Sequence, residues 1–190
     1  KSTLLRIIMG IFKKDAGSIE IDGKIIATSV QNAPFVDKPT LETENVIDRL
    51  KNFAQKQFVW LAGGRFMRRN LVAEYDLKFV KMISTEDLLF TTALVCVAKK
   101  WVRVPNTFYY YRKHENAITA SAKTWDIALR QNFPLMPKGV EYLDKFLSEM
   151  EFFQAHPEGK ILAYDAMLSV SLPWYISVFG QVPPQYLDAV

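Results

Sequence analysis

The sequence predicts an α/β chain with a mixed first part and a helical tail. Residues 4–12 are mostly apolar, with Arg6 as the one charged residue, and their length is typical of a buried strand. Alternating residues on both sides of an Asp-Gly pair at 22–23 predict a β-hairpin. From Trp125 onward, prolines separate segments with helical periodicity. We therefore divide the chain into residues 1–121 and a helical C-terminal extension over residues 122–190.

The composition is that of a folded globular protein. The 190 residues are 49% hydrophobic and 13% aromatic, which favours a packed core over a disordered chain. A net charge of +4 with dispersed Lys and Arg is typical of a solvated basic surface, although it would also suit phosphate-bearing ligands or an anionic membrane. Cys96 is the single cysteine and lies in an apolar segment, which predicts a buried thiol and fits a reducing cytoplasm. Because the first residue is Lys1, we expect the natural start upstream.

Two helices are predicted before residue 80. The first covers residues 40–57, where apolar residues recur at helical spacing and Thr40 can act as the N-cap. The second follows a Gly-Gly pair and covers residues 65–75. Its predicted inward side chains are Phe66, Leu71 and Val72.

A third helix is predicted from residue 86 to about residue 100, and two adjacent carboxylates, Glu86 and Asp87, open it. A helix N-terminus can keep a carboxylate ionised and directed outward, as a general base requires. The same residues, with Ser84 or Thr85 as N-cap, also describe an ordinary helix start. The predicted buried stripe consists of Leu89, Phe90, Ala93, Leu94 and Val97, and the predicted basic end of the helix consists of Lys99 and Lys100.

The remaining segments are short strands and helices. Strands are predicted over residues 101–105 and 107–112, and the stretch 161–179 is predicted to be a buried or interfacial helix because Asp165 and Pro173 interrupt it. Helices of the tail are predicted over residues 125–132, 139–154 and 160–172.

Other kinds of site have little support in the sequence. His114 and His156 lack ligand spacing and a single cysteine cannot build a zinc site, so no metal or cofactor site is predicted in this chain. The tyrosines at 109–111 could stack on bases or sugars, but an alternating strand packs them into the core, and no nucleic-acid partner is predicted. Residues 1–5 and 17–23 resemble the start of an ABC-transporter ATPase, yet no glycine-rich loop precedes Lys1 in the sequence, and strand and hairpin are favoured.

Several short motifs follow one another in an informative order. Trp60 and the segment Arg65-Phe66-Met67-Arg68-Arg69 precede Glu86-Asp87-Leu88-Leu89-Phe90, and then come Ala98-Lys99-Lys100, Val104-Pro105-Asn106 and Tyr109-Tyr110-Tyr111-Arg112. This order resembles the C-terminal half of family 2 glycosyltransferases with the GT-A fold. The resemblance covers about residues 38–121.

The resemblance implies a partial GT-A-like (Rossmann-like) sheet with flanking helices, on the acceptor side of the enzyme. It implies that Asp87 is the base that receives the acceptor hydroxyl proton, with Glu86 beside it. Trp60 and Arg65 are assigned to acceptor binding. The implied partners are a nucleotide-sugar donor and a glycan acceptor, with Mg or Mn in the full-length family. The implied location is the cytoplasm or the inner face of the membrane.

The sequence lacks the features by which members of the family bind the sugar donor. It contains neither a DxD motif nor preceding βαβ units, so the 190 residues alone are not expected to turn over a nucleotide sugar. The (Q/R)-x-x-R-W motif of processive synthases is also missing from the sequence, which favours a non-processive transferase of cell-surface polysaccharide assembly. The alternatives are a non-catalytic interaction module, in which Glu86 and Asp87 only begin a helix, and an ABC ATPase fragment.

Overall fold

The computed structural model of the protein describes residues 36–57, 59–82, 85–105 and 124–189, and this part of the chain is mostly helical. Its strands are β1 (Thr40–Leu41) and β2 (Val102–Arg103). Its α-helices are α1 (Val46–Ala54), α2 (Arg69–Glu74), α3 (Glu86–Val97), α4 (Thr124–Ile127), α5 (Met136–Ser148), α6 (Glu151–Ala155) and α7 (Pro157–Phe179). A π-helical turn (Ala128–Asn132) and a 3₁₀ turn (Phe133–Leu135) join α4 to α5, and a 3₁₀ segment (Pro184–Ala189) follows α7.

The β-structure of the described residues is one antiparallel ladder. β1 pairs with β2, and Thr40 lies opposite Arg103. The strand predicted over residues 101–105 is confirmed in its central part. A mixed α/β class agrees with this arrangement, whereas a GT-A-like sheet stays a prediction. The strands predicted over residues 4–12, 18–26 and 107–112 lie outside the described residues.

The first helix is shorter than predicted. α1 begins at Val46, and Asn45 is its N-cap, since its side-chain oxygen accepts a hydrogen bond from the backbone N–H of Asp48 at 3.1 Å. The prediction of Thr40 as N-cap is wrong, because the backbone of Thr40 pairs with Arg103 in the ladder instead. That pairing joins residues distant in the sequence, and helical periodicity carries no information about it.

The segment before α2 is a loop. α2 begins at Arg69, and Gly64 turns the chain ahead of it with a φ of 76°. Phe66 lies in this loop and is 70% exposed, so its predicted inward position is wrong: the helical spacing on which it rested does not extend that far. Leu71 and Val72 pack against the core, as predicted.

α3 is buried on every side. The predicted stripe is confirmed, but the residues on its other faces are buried as well, so α3 lies inside the protein instead of covering its surface. Thr92 is accommodated because its hydroxyl donates to the Leu88 carbonyl oxygen at 2.8 Å. Cys96 is buried as predicted, and burial raises the pKa of its thiol to about 12. The buried residues outside the stripe are Leu88, Thr91, Thr92, Val95 and Cys96.

A buried arginine of α1 holds the C-terminal end of α3. Arg49 has 0% exposure; its Nε donates to the Val95 carbonyl oxygen at 3.0 Å and its Nη1 to that of Thr43 at 3.2 Å. The last four carbonyl groups of a helix lack partners within it, and a cation there opposes the negative end of the helix dipole. Lys99 and Lys100, predicted for this role, are exposed because the helix ends before them.

Arg49 belongs to a wider network of buried charge. The carboxylate of Glu42 is buried near it and forms an ion pair with Arg103 of β2. Arg103 also donates to the carbonyl oxygen of Gln57 at 3.1 Å. Arg103 therefore connects the β-ladder to the segment that follows α1, and Arg49 connects Thr43, two residues after β1, to the end of α3.

The helices of the tail share one core with α1 and α3. Leu143 of α5, Phe153 of α6 and Ala163 of α7 belong to the same buried cluster as Leu50 and the α3 residues. The two predicted parts of the chain, residues 1–121 and 122–190, thus contain helices that pack together. At Gly139 a Cβ atom would lie 2.6 Å from Leu89 Cδ1, so the absence of a side chain permits the close approach of α5 to α3.

The tail helices differ from their predicted limits. The segment predicted as one helix over residues 139–154 is two helices, because the backbone at Met150 is extended. The helix predicted over residues 160–172 continues to Phe179, with Pro173 inside it. At the start of the tail, the helix predicted over residues 125–132 is α4 followed by the π-helical turn.

The long helix α7 has one buried and one exposed face. Its exposed apolar side chains include Ile161, which is 69% exposed, and Ile176, which is 62% exposed. Among the described residues, α7 is the helix long and apolar enough to cross a membrane, while 33% of its most apolar window is buried inside the protein. The prediction of a buried or interfacial helix here, rather than a membrane span, stays a prediction.

We expect Arg49→Met to lower the free energy of unfolding by about 2–4 kcal/mol, because it leaves the Val95 and Thr43 carbonyl oxygens without their buried donor. Urea unfolding at pH 7 measures the loss. Lys51→Met, on the exposed part of the same helix, is the matched control and should cost at most about 0.5 kcal/mol. Equal losses for the two variants would contradict a structural role of Arg49.

Candidate functional site

The two sequence-predicted carboxylates stand at the N-terminus of the buried helix α3. Thr85 occupies the N-cap position with a φ of 70°, and its carbonyl oxygen accepts from the N–H groups of Leu88 and Leu89. Its side chain does not cap the helix, since the hydroxyl donates to the sulfur of Met136 at 3.6 Å. The predicted cap position is therefore right for Thr85, but the predicted capping bond is wrong. Ser84 lies outside the described residues.

Asp87 is held from outside its own helix. Its half-buried carboxylate accepts a hydrogen bond from the backbone N–H of Ala62, and the guanidinium of Arg65 lies nearby. Burial raises the pKa of Asp87, while the Ala62 N–H and Arg65 act in the opposite direction. The loop that precedes α2 therefore supplies both groups that stabilise the ionised form of this carboxylate.

Arg65 is engaged on several sides. Its Nε donates to the carbonyl oxygen of Leu61 at 2.8 Å, and its guanidinium carbon lies 4.6 Å from the centre of the Trp101 ring. Burial lowers the pKa of Arg65 to about 10, an effect that the charge of Asp87 opposes, so the side chain stays cationic at neutral pH. Its Nη1 is buried and has no hydrogen-bond partner in the described part of the chain.

Glu86 has a less favourable environment than Asp87. Burial raises the pKa of Glu86, its own backbone N–H lowers it, and the neighbouring charge of Asp87 raises it. Its Oε2 is buried and lacks a hydrogen-bond partner within the described ranges. Such a carboxylate favours protonation, because its negative charge is only partly compensated.

The structure brings some of the predicted site residues together. Asp87 and Arg65 are neighbours, and Glu86 adjoins Asp87 in sequence. Trp60 is half-buried and packs against the hydrophobic core. Trp101 is a component that the sequence did not indicate, because it meets Arg65 only through the fold and was predicted as a strand residue alone.

Ligands for a divalent metal are not assigned among the described residues. Within residues 36–57, 59–82, 85–105 and 124–189, no group of three or more His, Cys, Asp or Glu side chains is arranged to hold a metal ion. The charge of Asp87 is instead opposed by the guanidinium of Arg65. The Mg or Mn implied for full-length family members therefore stays a prediction from the resemblance, without ligands in the described part of the chain.

Comparison with known proteins leaves the family open. No family model, curated protein or solved structure matches this chain. The resemblance to family 2 glycosyltransferases stays a prediction from the order of short motifs. The residues that resemble an ABC ATPase, 1–5 and 17–23, lie outside the described part of the structure.

We expect the burial of Glu86 to appear as a pH dependence of stability. A carboxyl group whose pKa is raised on folding binds protons more tightly in the folded state, so its contribution to stability falls as the pH rises from about 4.5 through the raised pKa. Glu86→Gln removes the partly buried negative charge, which disfavours folding at pH 7. The substitution should therefore raise the free energy of unfolding at pH 7 by up to about 1 kcal/mol, after allowance for partial exposure.

Urea unfolding of wild type and Glu86→Gln at pH 4 and pH 7 measures this effect. Glu141→Gln, the same change at an exposed position of α5, is the matched control. If Glu86→Gln and Glu141→Gln show the same pH dependence, the carboxylate of Glu86 is not desolvated.

Proposed function

We propose that this chain provides the acceptor side of a glycosyl-transfer site in which Asp87 is the general base. The observation that supports the proposal most is the setting of Asp87. Its carboxylate begins a helix buried on every side, accepts a hydrogen bond from the Ala62 N–H and lies beside Arg65. A carboxylate fixed to a rigid element, half-buried and charge-balanced, has the properties that a general base requires.

The proposed chemistry is an inverting displacement. The oxygen of an acceptor hydroxyl attacks the anomeric carbon of a nucleotide sugar, and the bond from that carbon to the diphosphate oxygen breaks. The nucleoside diphosphate leaves with the bonding electron pair, and the hydroxyl proton passes to Asp87. Partial burial raises the pKa of Asp87, which makes the carboxylate more basic, while the Ala62 N–H and the charge of Arg65 oppose that rise.

The proposed setting is the assembly of a glycan or cell-surface polysaccharide, in the cytoplasm or at the inner face of the membrane. The donor site is not assigned to residues of this chain. The motif order shared with family 2 glycosyltransferases supports this setting, and the half-buried Asp87 supports the chemistry.

A non-catalytic interaction module is the second candidate. The exposed apolar face of α7, with Ile161, Leu168, Leu172 and Ile176, favours it, because such a face is a common feature of interaction surfaces. In that case Asp87 serves only to join the Ala62 loop to α3, and its replacement alters stability without altering any transfer reaction.

We expect Asp87→Asn to lower kcat/KM for sugar transfer by about 10²–10⁴-fold in the enzyme of full natural length, because the amide cannot accept the hydroxyl proton. Release of nucleoside diphosphate from UDP-glucose, UDP-galactose, UDP-N-acetylglucosamine and GDP-mannose measures turnover, with the total glycan of the source cells as acceptor. Asp165→Asn, the same change at an exposed site of α7, is the control and should retain wild-type turnover.

Unfolding curves of both variants separate loss of chemistry from loss of structure. Wild-type transfer by Asp87→Asn would contradict the assignment of Asp87 as base. Failure of the wild type to release nucleoside diphosphate from any of these donors, with Asp87→Asn changed only in stability, would favour the interaction module.

A further inference from the structure

A short surface segment before α2 combines an exposed aromatic ring with two exposed arginines. Phe66 is 70% exposed, and Arg68 and Arg69, which follow it, are exposed as well. Met67, between them, packs against the hydrophobic core. The backbone at Arg68 is extended, and side chains of extended backbone alternate in direction. Phe66 and Arg68 therefore both lie on the side away from the core, with their Cα atoms at most about 7 Å apart.

The fold does not engage the charges of the two arginines. Neither side chain forms an ion pair or a hydrogen bond with any of the residues that the structure describes. Arg68 is the N-cap of α2 and Arg69 is its first residue, and the first turn contains no acidic side chain. Cations at the N-terminal end of a helix oppose its dipole, so this placement costs stability. The two charges are therefore available to an external anion.

The segment after α2 has a similar composition but takes part in the fold. Lys78 pairs with Asp76, and the ring of Phe79 stacks on that of Phe90 at a centroid distance of 4.3 Å. Insertion of Phe79 into a partner would separate it from α3. The candidate surface is therefore limited to residues 66–69, which we name the docking segment.

Charge is distributed unevenly along the chain. Residues 36–105 contain twelve Lys and Arg and eight Asp and Glu, whereas residues 124–190 contain four and eight. The part that carries the docking segment is thus basic, and the helical tail is acidic. An anionic surface attracts the first part and repels the tail, so it favours orientations in which the basic part faces it.

The partner that matches both features of the docking segment is an anionic phospholipid surface. It presents phosphate groups, which arginines bind, above an apolar layer, which an exposed phenylalanine ring can enter. Single-stranded nucleic acid also offers phosphates, but proteins bind it through a groove with several stacking rings, and Phe66 is the one aromatic residue of residues 61–70. An acidic protein surface would match the arginines but offer the ring no apolar layer.

We infer that the docking segment attaches this chain to an anionic membrane surface: Arg68 and Arg69 bind lipid phosphates, and the ring of Phe66 enters the headgroup region. The inference gives a surface and a partner to the membrane-adjacent setting of the proposed function. For that setting it rests on the proposed function, whereas the docking itself follows from exposed side chains and does not require catalysis by Asp87.

The test is cosedimentation of the 190-residue chain with vesicles of phosphatidylcholine alone and of phosphatidylcholine with about 30% phosphatidylglycerol. We expect binding to the anionic vesicles that weakens as NaCl rises from about 50 to about 300 mM, and little binding to the neutral ones. Arg68→Gln with Arg69→Gln should lower the partition coefficient by about fivefold for each cation removed, and Phe66→Ser by about tenfold. Phe66→Trp should bind at least as tightly as the wild type.

Two matched controls lie elsewhere on the surface. Lys99→Gln with Lys100→Gln removes the same charge from another exposed basic pair, and Ile176→Ser removes an apolar side chain that is 62% exposed. Each should change the partition coefficient by less than about twofold, because groups held more than a Debye length from the lipid contribute little. Urea unfolding of every variant shows whether it is folded.

Three results would overturn the inference. The first is an absence of binding to anionic vesicles at low salt, or an equal loss of binding in the lysine and arginine pairs. The second is a loss of vesicle binding in Ile176→Ser but not in Phe66→Ser, which would assign docking to α7. The third is binding of a polythymidine oligonucleotide that requires Arg68 and Arg69, without binding to vesicles, which would assign the segment to nucleic acid.

The outcomes also separate this inference from the proposed function. Asp87→Asn should bind the anionic vesicles as the wild type does, whether or not it transfers sugar. If it retains both vesicle binding and transfer, the docking stands and the catalytic assignment fails. If it abolishes transfer while the wild-type chain does not bind the vesicles, the catalytic assignment stands and the docking fails.

Discussion

The bond from Arg49 to the C-terminal end of α3 is the interaction on which the rest of the structure depends. α3 is buried on all sides, so the carbonyl groups of its last turn cannot turn to water. The guanidinium of Arg49 supplies both a donor and a positive charge at that end, from a position with no exposure of its own. Arg49 also donates to the carbonyl oxygen of Thr43, two residues after β1, so the segment that carries the β-ladder is tied to the central helix as well.

The N-terminal end of α3 carries the candidate site, and it resembles the C-terminal end in having an arginine near it. An arginine from elsewhere in the chain acts at each end of the helix: Arg49 bonds to the carbonyl end, and the charge of Arg65 acts on the Asp87 carboxylate in the first turn. Arg49 compensates carbonyl groups that are intrinsic to a helix, and its role is structural. The charge of Arg65 opposes the effect of burial on the Asp87 carboxylate. A helix does not need a carboxylate at this position, so its presence makes the N-terminal end the candidate for chemistry.

The sequence predicted what local pattern determines and missed what depends on distant partners. The buried stripe of α3 followed from helical spacing and the burial of Cys96 from the apolar segment around it, and both are confirmed. Thr40 was wrongly assigned as a helix cap, because it pairs with a distant strand instead. Phe66 was wrongly placed inside the protein, because it lies in the loop before α2, where helical spacing does not apply. At the site, the place of Asp87 at a helix start was predicted from local pattern and its role as base from the order of the motifs, whereas Trp101 had no local signal, because its partner Arg65 lies far away in sequence.

The central claim is that α3 is the most stable element of the described structure and carries Asp87 as a fixed group. Native-state hydrogen exchange tests it most directly. The amides from Phe90 to Val97 should exchange only through global unfolding, with opening free energies equal to the value from urea unfolding. Amides of the exposed face of α7 should exchange faster. Exchange of the α3 amides through local openings, while α5 or α7 stays fully protected, would contradict the claim that the buried helix organises both the fold and the site.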